Sequence, residues 1–423
     1  MPFATKQGLK ARAETSWRSL ARVLDALRAG CERYGVPGAQ LGLLRDGRRE
    51  VLCAGVLEAG GDAPVEPSTP FQAGSIAKPL AATLALDAAA RGELDLGAPG
   101  PGGWEDPLRA LIGHTSGRAN VLPDDGESIE AFVARVGGYG HITPPGRFAY
   151  CNAGWAVVDL ALEAATGLDF EALAGGRILA PLGIPARFAP PPGHAVPHAG
   201  ADPIPADPGS RGSSAAGSRW WVTADDLLAY AELHLHEGGG VIEPAAIAVQ
   251  REPHVAIPGA TVADAWAGGW ARWERGRHRA LGWTGYTGGQ RAYLRVFPEQ
   301  DAALVLLTNA AGPLLGGSGG SALYDDLLPR LLDQLGVPPL GEPPAAAGPT
   351  PAAALEGLYG PAAITADGDD VLLTAAPMGI DGARHERAYG DTFLAEGRPP
   401  GGMAIAFDGD LLYLGPFALP RAS

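Results

Sequence analysis

Lysine is scarce in this chain. Its three lysines are Lys6, Lys10 and Lys78, although lysine and arginine together number 32. Only Lys78 lies away from the N-terminus, in Phe71-Gln72-Ala73-Gly74-Ser75-Ile76-Ala77-Lys78-Pro79-Leu80. Arginine keeps its proton in any protein environment, whereas a buried lysine can release it and act as a base. Residues three apart on a helix share a face, so Ser75 and Lys78 form a candidate nucleophile and base. A surface lysine beside a chance serine is the alternative, and the pair alone does not decide between them.

The chemistry sets conditions. Lys78 must fall from an ordinary pKa of about 10.4 towards neutrality, and a drop of about 3 units costs about 4 kcal/mol, so the site has to be dry and rigid. A second proton carrier must serve the leaving group. Tyr150, in Tyr150-Cys151-Asn152, is a candidate, because a phenol beside a lysine can exchange protons with it. Asn152 offers a carbonyl to the lysine ammonium and an amide to a substrate carbonyl. Each has a plainer use: a tyrosine before a helix packs, and an asparagine there caps.

The spacing predicts the elements that position these groups. Residues 16–34 have helical periodicity and stop at Gly35-Val36-Pro37-Gly38. Residues 39–44 and 50–54 read as a hairpin around an Asp-Gly turn. A helix over 75–91 has Pro79 in its opening turn, where the missing N–H is tolerated. Its N-terminus turns partial positive charge towards Ser75. Tyr150 and Asn152 fall on a loop entering a helix over 153–165. Thr223-Ala224-Asp225-Asp226 caps another helix. Residues 268–309 read as an antiparallel meander, followed by a helix over 324–335. The Pro/Ala/Gly-rich stretch 337–352 reads as a linker. The division is then 1–336 for the catalytic domain and 353–423 for a small accessory β-domain.

Composition excludes several classes. A formal charge of −15 argues against nucleic acid or an anionic membrane as partner. No apolar run reaches the ~18 residues of a membrane span. No signal peptide is visible, and Cys31, Cys53 and Cys151 are too few and irregularly spaced for a disulfide framework; the expectation is a cytoplasmic protein with reduced thiols. Neither a metal nor another cofactor is expected. His234 and His236 point to different helix faces, and the His194 to His198 stretch supplies no third ligand. Residues 316–320 are Gly-rich but lack the lysine of a phosphate loop.

Taken together, Ser75-Ile76-Ala77-Lys78 and Tyr150-Cys151-Asn152 resemble the serine hydrolases related to class C β-lactamases and D,D-peptidases. His114-Thr115-Ser116-Gly117, 215–227 and Leu307-Thr308-Asn309 fit in the same order. The resemblance implies a mixed α/β (α+β) fold: an antiparallel sheet flanked by helices, with a helical subdomain carrying Tyr150 and a small C-terminal all-β domain beyond. It also implies an oxyanion hole from the backbone N–H groups of Ser75 and Tyr286. The third family motif, Lys-Thr-Gly or His-Thr-Gly, corresponds to Trp283-Thr284-Gly285. Trp283 replaces the cation that helps relatives hold a substrate carboxylate, and it offers apolar area and one N–H instead. Alternatively Arg291 or Arg279 supplies the charge.

The reading is a serine hydrolase acting through an acyl-enzyme on Ser75, with Lys78 and Tyr150 catalytic and Asn152, Trp283, Thr284, Gly285 and Tyr286 binding substrate. Its substrate is a small acyl compound, a carboxylic ester or similar neutral species. The alternatives are an amidase or D-amino-acid peptidase, an acyl-transferring or cyclising thioesterase, and an inactive ligand-binding relative.

Overall fold

The computed structural model describes residues 6–124, 126–206, 214, 216–312, 318–341, 343, 348–395 and 404–422. The expected linker and the Gly-rich 316–320 stretch lie partly outside the described residues. Helix α1 (Lys6–Tyr34) leads into the hairpin β1 (Gly38–Arg45) and β2 (Arg48–Gly55). Helix α2 (Ala77–Ala90) follows a 3-10 turn at Gly74–Ile76. Helix α3 (Ala153–Thr166) belongs to the helical subdomain, with short helices at Leu108–Ile112 and Ile129–Gly137 beside it. Helix α4 (Ala224–Leu235) starts at a capping box between Thr223 and Asp226, which satisfies two backbone N–H groups reciprocally.

Six further strands complete the main sheet: β3 (Val255–Ala256), β4 (Ala265–Ala267), β5 (Trp270–Arg275), β6 (His278–Tyr286), β7 (Arg291–Phe297) and β8 (Ala302–Thr308). The order is β2-β1-β8-β7-β6-β5-β4-β3, with every pairing antiparallel. Strands β7 and β8 are buried along their whole length. The apolar run of β8 does not alternate because helices cover both faces of the sheet: α4 packs on one, and α1 with α5 (Gly319–Leu335) on the other. The predicted helix over 324–335 is therefore longer than its periodic core.

Eight strands form the C-terminal all-β unit: β9 (Gly357–Tyr359), β10 (Ala362–Asp367), β11 (Asp370–Ala375), β12 (Ile380–Tyr389), β13 (Thr392–Ala395), β14 (Ala404–Asp408), β15 (Leu411–Leu414) and β16 (Phe417–Pro420). They pair in sequence order, and Tyr359 bridges to Arg421, so the meander nearly closes on itself. Tyr359, Val371, Leu373, Phe393, Ile405 and Leu412 pack together in a core of its own. Alternate residues on the other face, including Ala406 and Tyr413, join the main core instead. Among the described residues no helix is long and apolar enough to cross a membrane.

Candidate active site

Ser75 lies in the 3-10 turn just ahead of α2. That turn presses against the end of β6. Gly74 adopts φ +54°, and a Cβ there would lie 3.0 Å from Tyr286 N. A Cβ on Gly285 would meet the Ala73 carbonyl at 1.9 Å. Both glycines are thus required by the close approach, and it sets the Tyr286 backbone N–H beside the serine turn.

Lys78 is fully buried in the first turn of α2. Its Nζ lies 3.0 Å from Ser75 Oγ and donates to the Gly217 carbonyl at 2.8 Å. Burial lowers its pKa from 10.5 to about 7, and Cys151 opposes the shift. The condition set by the chemistry is met: near neutral pH a large share of Lys78 is an amine with a free lone pair.

Tyr150 comes from the loop before α3, and its O–H donates to Ser75 Oγ at 3.0 Å. Burial raises its pKa, against a smaller lowering from Ser75 and Trp283. It is therefore a phenol at neutral pH, a proton donor and not a resident base. The Lys78 ammonium position is 5.3 Å from the centre of its ring.

Asn152 departs from expectation. Its backbone N–H and its side-chain amide both donate to Asn120 Oδ1, at 3.0 and 2.9 Å. The carbonyl that receives Lys78 belongs to Gly217, not to Asn152. Asn152 is thereby tied to the 117–120 segment, beside Tyr150 and at the entrance of α3.

Trp283, Thr284, Gly285 and Tyr286 all lie at the site end of β6, but alternation divides them between faces. Trp283 is buried against Tyr150 and Trp266, with ring centroids 5.6 and 4.7 Å away. Thr284 faces the other side, where Arg295 reaches its hydroxyl at 3.3 Å and the Trp283 carbonyl at 2.8 Å. Arg295 itself lies among Trp273, Tyr293 and Tyr324 on the α5 side. Arg291 donates to Ser321 on α5 and covers the half-exposed ring of Tyr286. Arg279 donates to backbone carbonyls at the far end of β6.

Three contributors had no role assigned by a reading of motifs, although His114 lies in one of the matched stretches. Gly217 acts through its carbonyl, which carries no side-chain signal, although its place after Ala216 matched the family order. His114 lies under Tyr150 with ring centroids 4.3 Å apart. The Cys151 N–H donates to its Nδ1 at 3.1 Å, so Nε2 carries the proton. Burial, helped by Lys78, drives its pKa well below 6.5 and keeps it neutral. Phe417 arrives from the C-terminal unit and sets its ring edge-on to Tyr150 at 5.7 Å. Nearby Tyr413 donates to the Phe148 carbonyl at 3.0 Å, and Arg147 pairs with Asp408. Cys151 donates to the Ala119 carbonyl, and burial raises its thiol to about 11, which suits packing and not nucleophilic attack.

The arrangement has a hydroxyl between a buried amine and a buried phenol, with backbone donors at a tight turn. That is equipment for acyl transfer. A family model for β-lactamase matches residues 20–325. The chain belongs to the β-lactamase family. Within it, the protein is 30% identical over 373 residues to penicillin-binding protein 4 of Amycolatopsis lactamdurans, covering 79% of this chain and 95% of that one. Among solved structures it is similar to SurE at 27% identity and a TM-score of 0.74, over 96% of this chain and all of the other. A SurE structure with D-Leu matches at 28% and 0.73 over the same shares. The D-amino acid amidase of Ochrobactrum anthropi SV3, complexed with D-phenylalanine, shares the fold at 20% identity and a TM-score of 0.64, over 75% of this chain and 99% of that one. This β-lactamase-family member is thus a serine hydrolase-type enzyme of mixed helices and antiparallel sheets.

Proposed function

We propose that the protein forms an acyl-enzyme on Ser75 from neutral acyl donors, carboxylic esters or similarly activated compounds. The observation that carries this reading is Ser75 Oγ held 3.0 Å from both buried Lys78 Nζ and the Tyr150 hydroxyl. Neutral Lys78 accepts the Ser75 proton as Oγ adds to the carbonyl. The developing oxyanion draws on the backbone N–H groups of Ser75 and Tyr286, donors typically worth about 3 kcal/mol each. Tyr150 gives its proton to the leaving atom and is reprotonated by the Lys78 ammonium. Water or another nucleophile then attacks the acyl-enzyme, with the proton path reversed. Trp283 supports the preference for neutral donors, since an indole offers no charge to a substrate carboxylate.

A second reading within this chemistry is an amidase, a D-amino-acid peptidase, or a thioesterase that transfers or cyclises its acyl chain. The likeness to SurE, solved with D-Leu and matching over 96% of this chain, favours it. The residue at the attacked carbonyl would then be D-configured. Paired D- and L-aminoacyl thioesters of N-acetylcysteamine, assayed beside p-nitrophenyl esters with and without an added amine, separate the two. Faster turnover of the D-thioester with amine capture supports the second reading. Turnover of esters alone supports the first, and turnover of none contradicts both.

A further inference from the structure

Helix α3 carries a buried carboxylate that the proposed reaction does not use. Asp159 Oδ2 accepts from the Ser214 hydroxyl at 2.7 Å and lies 3.5 Å from the Ala216 N–H. The Ser214 hydroxyl is also 3.3 Å from the Trp155 carbonyl. Ala216 directly precedes Gly217, whose carbonyl accepts from Lys78 Nζ. An unbroken path therefore runs from α3 through one loop to the amine beside Ser75. Burying a carboxylate is costly unless hydrogen bonds offset it, and among the described residues Asp159 takes them from Ser214 and Ala216.

We infer that Asp159 is a positioning residue, fixing the loop so that the Gly217 carbonyl holds Lys78 Nζ against Ser75 Oγ. The inference rests on the reading of Lys78 as the base. The charged groups facing Asp159 are Arg219 from the loop and Glu163 from its own helix; burial raises its pKa to about 6, so it is ionised at neutral pH. Lys78 faces Cys151, His114 and Tyr150. A carbonyl stabilises an ammonium more than an amine. Loosening the loop therefore lowers the pKa of Lys78 as well as spoiling its aim. A merely destabilised fold lowers the rate at every pH and leaves that pKa in place.

The test is the pH profile of kcat/KM for p-nitrophenyl acetate with the full-length protein, its Asp159→Ala and Asp159→Asn variants, and Ser214→Ala. Asp159→Ala should lose about 100-fold in kcat with KM little changed, the scale of a small misplacement at a catalytic group. Its acid limb should move about one unit lower, the size of one charge-assisted hydrogen bond. Asn keeps an acceptor for both donors, so Asp159→Asn should restore the limb and most of the rate. Ser214→Ala should move the limb in the same direction, and it carries the test if Asp159→Ala does not fold. An unmoved limb in both Asp159→Ala and Ser214→Ala, or an Asn variant as impaired as the Ala variant, overturns the inference and leaves Lys78 as base untouched. A wild-type profile with no acid limb near neutrality overturns that parent reading, and this one with it.

Discussion

Trp283 lies against Tyr150 with ring centroids 5.6 Å apart and planes tilted by 32°. Its Nε1 is buried and completes no hydrogen bond of good geometry, yet it is near enough to the phenol to favour its anionic form. The indole thus forms this wall of the site and offers it one weak donor. Replacing Trp283 by His should raise kcat/KM for carboxylate-bearing acyl donors such as penicillins relative to neutral esters. An unchanged ratio would locate carboxylate selection elsewhere.

The amine at Lys78 sets the pH dependence. Its pKa is about 7 in the folded protein, so kcat/KM should rise with pH through neutrality as the ammonium loses its proton. Lys78→Arg should abolish that limb and lower the rate by roughly 10²- to 10⁴-fold, because a guanidinium keeps its proton. A pH-rate series on both proteins measures this. An arginine variant with the wild-type limb would remove Lys78 from the base role.

The same burial bears on stability. The pKa of Lys78 is lower in the folded chain than in the unfolded one, so the unfolded chain binds the proton more tightly. The penalty is complete below about pH 7 and fades as the pH climbs towards 10.5. Lys78→Met should therefore be more stable than wild type at pH 7, with the gap narrowing by about 4 kcal/mol by pH 10. Urea titrations at several pH values check the sign. A gap that widens with pH would contradict a neutral, buried lysine.

Much of this site is legible in the chain because its key groups announce themselves by type. One interior lysine in an arginine-rich chain, three residues from a serine, marks the candidate nucleophile. The hairpin at 39–54 and the meander at 268–309 follow from strand runs and turns. What stays hidden acts through backbone or across long separations. The Gly217 carbonyl has no residue-type signature, and Asn120 meets Asn152 only once the helical subdomain is folded. The acceptor for Lys78 was misplaced for that reason: one asparagine carbonyl is as good an ammonium acceptor on paper as the Gly217 backbone carbonyl that takes the contact.

Phe417 crosses the longest of those separations. It brings the C-terminal all-β unit to the ring of Tyr150, so that unit forms part of the wall and is more than an appendix. Phe417→Ala should shift preference towards bulkier acyl groups while leaving the rate on p-nitrophenyl acetate close to wild type. A chain-length series of p-nitrophenyl esters reads this out. An unchanged preference would restrict Phe417 to packing.

The proposed reaction passes through a covalent acyl group on Ser75. Intact-protein mass spectrometry after brief exposure to a p-nitrophenyl ester, and separately to a serine-reactive phosphonate, measures it directly. One added acyl or phosphonyl mass is expected, mapped to the peptide containing Ser75 and absent from Ser75→Ala. An enzyme that turns over the ester with no adduct at Ser75, or a Ser75→Ala variant that retains full turnover, would contradict it.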